Sequence, residues 1–137
     1  MKELSHAKFK YIESELYEYP YTLQAIADLR EDIISGVTEG ERVSVQSGIS
    51  NPTAARATRL TTDERLQHLE RVQKAIEKVF SRLDPDKQKL VRLKYWDKHL
   101  SDMGVYSALC VSRETYYRWR KQIVIAIAQE LGLAKVR

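Results

Sequence analysis

Apolar residues in the first quarter of the chain recur at alternating threes and fours. In HAKFKYIESELYEYPYTLQAIADLREDIISG they are Phe9, Ile12, Leu16, Tyr19, Leu23 and Ile26, the spacing that lines one face of an α-helix. Pro20 falls inside this stretch. It has no N–H to donate, and its ring crowds the preceding turn. The pattern predicts one helix ending near Tyr19 and a second starting with Pro20 in its first turn, or a single kinked helix, with Gly36 as the closing cap. A second stripe comprises Leu66, Leu69, Val72, Ile76, Val79 and Leu83, an a/d-like seam that needs a partner helix. Thr61, with Glu64 three residues on, has capping-box spacing and predicts the start of that helix. The first segment is its expected partner, within the chain or across a dimer. Asp84-Pro85 closes this helix and opens another, DKQKLVRLKYWDK, whose apolar side is Leu90, Val91, Leu93, Tyr95 and Trp96.

Between the two stripes the periodicity lapses. Residues 36–60, GVTEGERVSVQSGISNPTAARATRL, hold three of the five glycines in the chain and predict a long polar connection, flexible or hinge-like. ERVSV alternates like a short strand but has no evident pairing partner. Arg42, Arg56 and Arg59 lie in or beside the connection. Such arginines either touch a nucleic-acid backbone or keep a linker soluble. The expected organisation is therefore N-terminal helices over 1–36, a flexible linker over 37–60, a bundle or connecting helix over 61–83, and a helix-turn-helix domain over 84–137.

Composition agrees with an all-α fold: an N-terminal helical hairpin or bundle, a long linker and a C-terminal helix-turn-helix. The 137 residues are 43% hydrophobic and 31% charged, with five glycines and three prolines, enough apolar content for a core and little of the turn chemistry a strand-rich fold needs. No apolar run approaches the ~18 residues of a membrane span, and MKELSHAKFKYIESEL has no apolar block of a signal peptide. The single cysteine excludes an internal disulfide and fits a reducing cytoplasm. Charge is unevenly placed. Residues 1–83 carry 12 Lys and Arg against 13 Asp and Glu, net −1, whereas residues 84–137 carry 11 against 6, net +5. The C-terminal part is the candidate polyanion-binding half.

There the residues fall on a helix-turn-helix template. Counting from Asp102, the template asks for apolar residues at its fourth, eighth, tenth, fifteenth and eighteenth places, and these are Val105, Leu109, Val111, Tyr116 and Trp119. Two helices crossing steeply over a short turn bury those positions and few others. Ser112 is the expected N-cap of the second helix. Its outer side carries Arg113, Glu114, Tyr117 and Arg118, with Arg120 and Lys121 toward the far end. Arg113 and Arg118 are candidates for guanine edges or phosphates, Glu114 for cytosine or for orienting an arginine, and Tyr117 for a phosphate or a thymine methyl. Ser112 and Thr115 are candidate phosphate donors. Two residues depart from the template. Cys110 stands where glycine commonly supplies a left-handed backbone, and Tyr106 stands where a small residue lets the helices approach. A longer turn or a wider crossing is one way to accommodate them, and a small buried apolar role is the expectation for Cys110 itself.

LDPDKQKLVRLKYWD and VSRETYYRWRKQI give residues 83–131 a resemblance to region 4 of bacterial sigma factors. Over nearly its whole length the chain resembles the RinA-like phage late transcriptional activator family, with ArpU-type regulators as relatives. The features that carry this are YIESELYEYPYT, NPTAARAT, RLQHLERVQKAIEKVF, LVRLKYW and VSRETYYRWR. The resemblance implies an activator of phage or prophage late genes that binds promoter or operator DNA and works with host RNA polymerase, rather than a self-sufficient sigma factor. Arg113, Glu114, Tyr117 and Arg118 then become the base-reading candidates. No cofactor or metal is expected, and no enzyme: His6, His68 and His99 lie on separate segments, and no phosphate-cradling glycine loop is present. A DNA-packaging protein of the small-terminase kind and a helical interaction module without DNA binding remain the alternatives. A homodimer through the N-terminal helices is a further expectation, and a membrane partner is not.

Overall fold

The computed structural model describes residues 4–35 and 52–135, and these are helical without a strand among them. Six α-helices follow one another: α1 (His6–Ser35), α2 (Pro52–Thr62), α3 (Glu64–Arg82), α4 (Pro85–Val91), α5 (Asp102–Leu109) and α6 (Arg113–Glu130), with a π-helical turn at Arg92–Asp97 between α4 and α5. The expected Gly36 cap, the ERVSV strand and Arg42 lie outside the described residues. None of the described helices is long and apolar enough to cross a membrane.

The chain divides into two compact units, one made of Met1–Pro20 and Val72–Arg137 and the other of Tyr21–Arg71. The division differs from the expected one, in which residues 1–36 formed a separate N-terminal element. The first half of α1 belongs with residues 72–137. In this larger unit Ile12 and Leu16 of α1, Val72, Ile76 and Val79 of α3, Leu90, Val91 and Tyr95, Val105 of α5, and Tyr116, Ile123, Val124, Ile127 and Ala128 of α6 form one core. Each of these residues is 2% exposed or less, so truncating any of them removes apolar area from a close-packed interior. Of the stripe expected from sequence, Leu66, Val72, Ile76 and Val79 are buried, while Leu69 and Leu83 are half-buried. The smaller unit has its own core of Ile26, Ile33 and Leu66, with Leu29, Leu60 and Leu69 against it, and an ion pair between Arg30 and Glu70.

Of the two expectations for Pro20, the break at Tyr19 is absent and the single helix is found: α1 runs on with Pro20 inside it. A proline within a helix normally leaves the carbonyl four residues earlier without its donor, at a cost of about 3 kcal/mol. Here that carbonyl belongs to Leu16, and the indole Nε1–H of Trp96 donates to it at 3.1 Å. The Trp96 ring also stacks on Tyr19 at 4.9 Å. Beyond the proline the inward position is taken by Thr22, which is buried, whereas Leu23 is 38% exposed. Trp96→Phe should therefore cost about 1–2 kcal/mol, and distinctly less in a Pro20→Ala background, where residue 20 supplies the missing N–H. A thermal-denaturation double-mutant cycle measures this, and strictly additive effects would show that the indole does not replace the donor.

Two further boundaries differ from expectation. Residues 52–60, expected in the linker, belong to α2. The start of α3 lies two residues beyond the anticipated capping box. Thr61 closes α2, its hydroxyl donating to the Thr58 carbonyl at 2.9 Å, and Asp63 caps α3 by accepting from the Leu66 N–H at 2.9 Å. Asp84 caps α4 as expected, accepting from the Lys87 N–H, with Pro85 at the first helical position.

Candidate nucleic-acid interface

The C-terminal helix pair is built on three small polar devices. Ser101 caps α5 by accepting from the Gly104 N–H at 3.1 Å. A Cβ at Gly104 would lie 3.1 Å from the Leu100 Cβ, tighter than relaxed packing, so glycine suits that turn. Cys110 ends α5 in the left-handed region at φ 59°, ψ 40°, and its N–H donates to the Ser107 carbonyl at 3.1 Å. The backbone that glycine usually supplies is thus kept by a residue with a side chain, at a cost of about 1–2 kcal/mol. The cysteine is exposed, which corrects its expected burial: a Cα in this conformation at the outside of the turn aims its side chain at solvent. Val111, half-buried, packs on the core. Ser112 then caps α6, its hydroxyl accepting from the Thr115 N–H at 3.1 Å and donating to the Thr115 hydroxyl at 3.0 Å. Tyr106, the second departure, fits by lying half-buried with its ring tilted against Tyr116 at 5.6 Å.

The five residues expected to face inward differ in depth. Val105 and Tyr116 are fully buried, and Leu109, Val111 and Trp119 are half-buried. On the opposite side of α6, Ser112, Arg113, Glu114, Arg118 and Lys121 are exposed. Thr115 is half-buried, and its hydroxyl already serves the Ser112 cap. Two of the candidate DNA contacts turn inward instead. Arg120 forms a two-pronged bond to Glu13 of α1, its Nε donating at 2.8 Å and its Nη2 at 3.1 Å. Tyr117 packs edge-on against Tyr116 at 5.0 Å, and its hydroxyl lies 3.4 Å from Asp102 Oδ2, to which it donates. The reason is helical geometry: positions 116, 120, 123 and 127 share a face at spacings of four and three, so Arg120 follows Tyr116 into the interior.

Sequence reasoning did not single out Glu13 or Lys94, placed Tyr95 only on an apolar side and gave Asp102 no chemical role, yet these four residues fix α6. Tyr95 donates to the same Glu13 oxygen as Arg120, at 2.5 Å. Burial by itself would raise the Glu13 carboxyl, but the hydrogen bonds from Arg120 and Tyr95 and the nearby positive charges outweigh it and hold the group below the ordinary glutamate range. Burial and the Glu13 charge push the Tyr95 phenol far above its usual value. Asp102 receives Tyr116 and, at 2.9 Å, Lys94. Lys94 also donates to the Tyr17 hydroxyl at 3.2 Å. Burial again works against the Asp102 charge, and the Tyr116 and Lys94 bonds overcome it, leaving the carboxyl lowered. These groups tie α1, the π-helical turn, α5 and α6 together. A π-turn widens the helix by a residue, and in this one Tyr95 is buried while the neighbouring Lys94 and Trp96 are half-buried. At the far end of α6, Lys78 and Arg82 of α3 both pair with Glu130, at 3.3 and 3.0 Å.

The model of the family described as "Protein of unknown function (DUF722)" matches residues 12–129. The chain belongs to the DUF722 family. The matched span includes both partners of the Glu13–Arg120 bond and the α5–turn–α6 segment up to Gln129. No curated protein and no solved structure matches the chain.

Proposed function

We propose that this DUF722 protein is a sequence-specific DNA-binding activator of phage or prophage late genes, which sets α6 in the major groove of promoter DNA and acts with host RNA polymerase. The observation that carries the DNA-binding part is the outer face of α6: Arg113, Arg118 and Lys121 exposed along a helix that follows a short left-handed turn. Recognition helices use their N-terminal residues to meet base edges, and guanidinium groups suit guanine and phosphate alike. The net +5 of residues 84–137 favours the same polyanion. The transcriptional role rests on the resemblance of LVRLKYW and VSRETYYRWR to the sigma region 4-like activators.

A selection from randomised duplexes with the full chain, followed by anisotropy titrations, tests the reading. The expected result is one enriched sequence whose affinity falls tenfold or more between about 50 and 200 mM salt, as phosphate neutralisation requires. Run-off transcription from a template bearing that sequence should rise when the protein is added to a bacterial RNA polymerase. Equal, salt-insensitive affinity for every duplex, or none, removes the DNA-binding reading. Binding without any rise in transcripts removes the activator part alone.

A further inference from the structure

We infer that Tyr117 is a positioning residue for Arg113, and that Arg113 so held selects a guanine at one position of the binding site. The inference rests on the DNA-reading role of α6 proposed above. The sequence places Tyr117 among the groups that meet DNA, but its hydroxyl is directed to Asp102 and its ring lies edge-on against Tyr116 at 5.0 Å. The phenol is thus anchored at both ends of its own side chain within the protein. What the ring offers outward is a face, and the Arg113 guanidinium lies 5.2 Å from its centroid, within the ~6 Å reach of a cation–π contact. The Arg120 guanidinium, itself bound to Glu13, lies 5.4 Å from the same centroid. The ring is thereby fixed by Tyr116, Asp102 and Arg120, three groups belonging to the core and its polar links.

Arg113 is the first residue of α6 and is exposed. An unrestrained arginine there would give up its side-chain freedom on forming a two-pronged bond. A planar guanidinium resting on an aromatic face has already given up part of that freedom. Its two outward N–H groups suit the O6 and N7 acceptors that only guanine offers side by side in the major groove. The chemistry recognised is therefore a guanine edge in duplex DNA, and Arg118 has no such aromatic rest among the described ring contacts.

The test uses the full chain and a panel of duplexes in which each position of the selected site carries each base in turn. Wild-type protein is expected to show a guanine position whose preference Arg113→Ala erases. Tyr117→Leu should reduce the preference at that same position about two- to fivefold and leave the other positions unchanged. Tyr117→Phe, which keeps the ring face, should retain it. Arg113→Lys, which keeps the charge and loses the planar fork, should lose it, and this variant stands in if Tyr117→Leu does not fold. In the free protein, ring-current displacement of the Arg113 side-chain NMR signals should vanish in Tyr117→Leu and persist in Tyr117→Phe. An unchanged guanine preference in folded Tyr117→Leu overturns the inference while leaving DNA reading intact, as does an equal loss at every position or a fully retained preference in Arg113→Lys. Failure of the wild-type chain to bind any duplex overturns both.

Discussion

Glu13→Ala is expected to lower the unfolding free energy by about 3 kcal/mol and the melting midpoint by about 10 °C. The carboxylate is only 10% exposed in its side chain, and its partner Arg120 is 22% exposed. Removing it leaves a guanidinium and the Tyr95 hydroxyl largely shut away from water without their acceptor, and an orphaned charge costs more than the intact pair contributes. Replacing the whole group with apolar residues of similar size, as in Glu13→Leu with Arg120→Met and Tyr95→Phe, should recover most of the loss. A linked effect appears on acidification. The folded state holds the Glu13 and Asp102 carboxyls below their ordinary values. Their stabilisation is therefore complete above the unfolded carboxylate range of about 4 and is lost as pH falls through the lower folded values. The melting midpoint should stay level from about pH 8 to 6, decline below about pH 4.5, and decline less steeply in Glu13→Gln. A Glu13→Ala protein that melts within about 2 °C of wild type would show that the pair does not hold α1 to α6.

Periodicity is a local signal, and it located what depends on local burial. The α3 stripe follows from residues three or four apart, the α4 opening from a capping Asp84 and a first-turn Pro85, and the five template positions from two helices crossing over a short turn. The misses at Pro20, α2 and Arg120 involve a distant partner or a polar helix. Pro20 looks like a break because the donor that completes Leu16 is the indole of Trp96, 80 residues away. The α2 segment PTAARATRLTT begins with a proline suited to a first turn and holds three alanines, yet Leu60 is its sole large apolar residue, too little for a stripe to show. Arg120 carries a charge, and a charge at the surface of a basic helix is the ordinary expectation. Its inward turn depends on Glu13, 107 residues earlier. A hint was present: Glu13 and Tyr17 sit four apart beside the buried Ile12 and Leu16, the place where a helix first meets its neighbours.

This division of α6 into inward and outward arginines gives the largest effect expected on binding. The double substitution Arg113→Ala with Arg118→Ala should weaken binding of the selected duplex by roughly 100- to 1,000-fold, with each arginine carrying about 1–3 kcal/mol. Both side chains are exposed, so the melting midpoint should move by no more than about 2 °C. Arg120→Ala should give the opposite pairing of effects, a large loss of stability from a Glu13 carboxylate left buried without its counter-charge, with at most a few-fold change confined to the Arg113 guanine position, as a loosened Tyr117 ring would give. Lys121→Ala should differ from both, weakening all duplexes alike and lowering the salt slope by about one contact, as a phosphate-neutralising lysine does. The three substitutions lie within nine residues of one helix, so a non-specific electrostatic attraction would give them similar consequences. A groove-seated α6 separates them by face, and anisotropy titrations on the base-substituted panel, run beside thermal melts, decide between the two. Equal losses for Arg113→Ala/Arg118→Ala and Lys121→Ala across all duplexes would leave α6 a basic surface without a reading face.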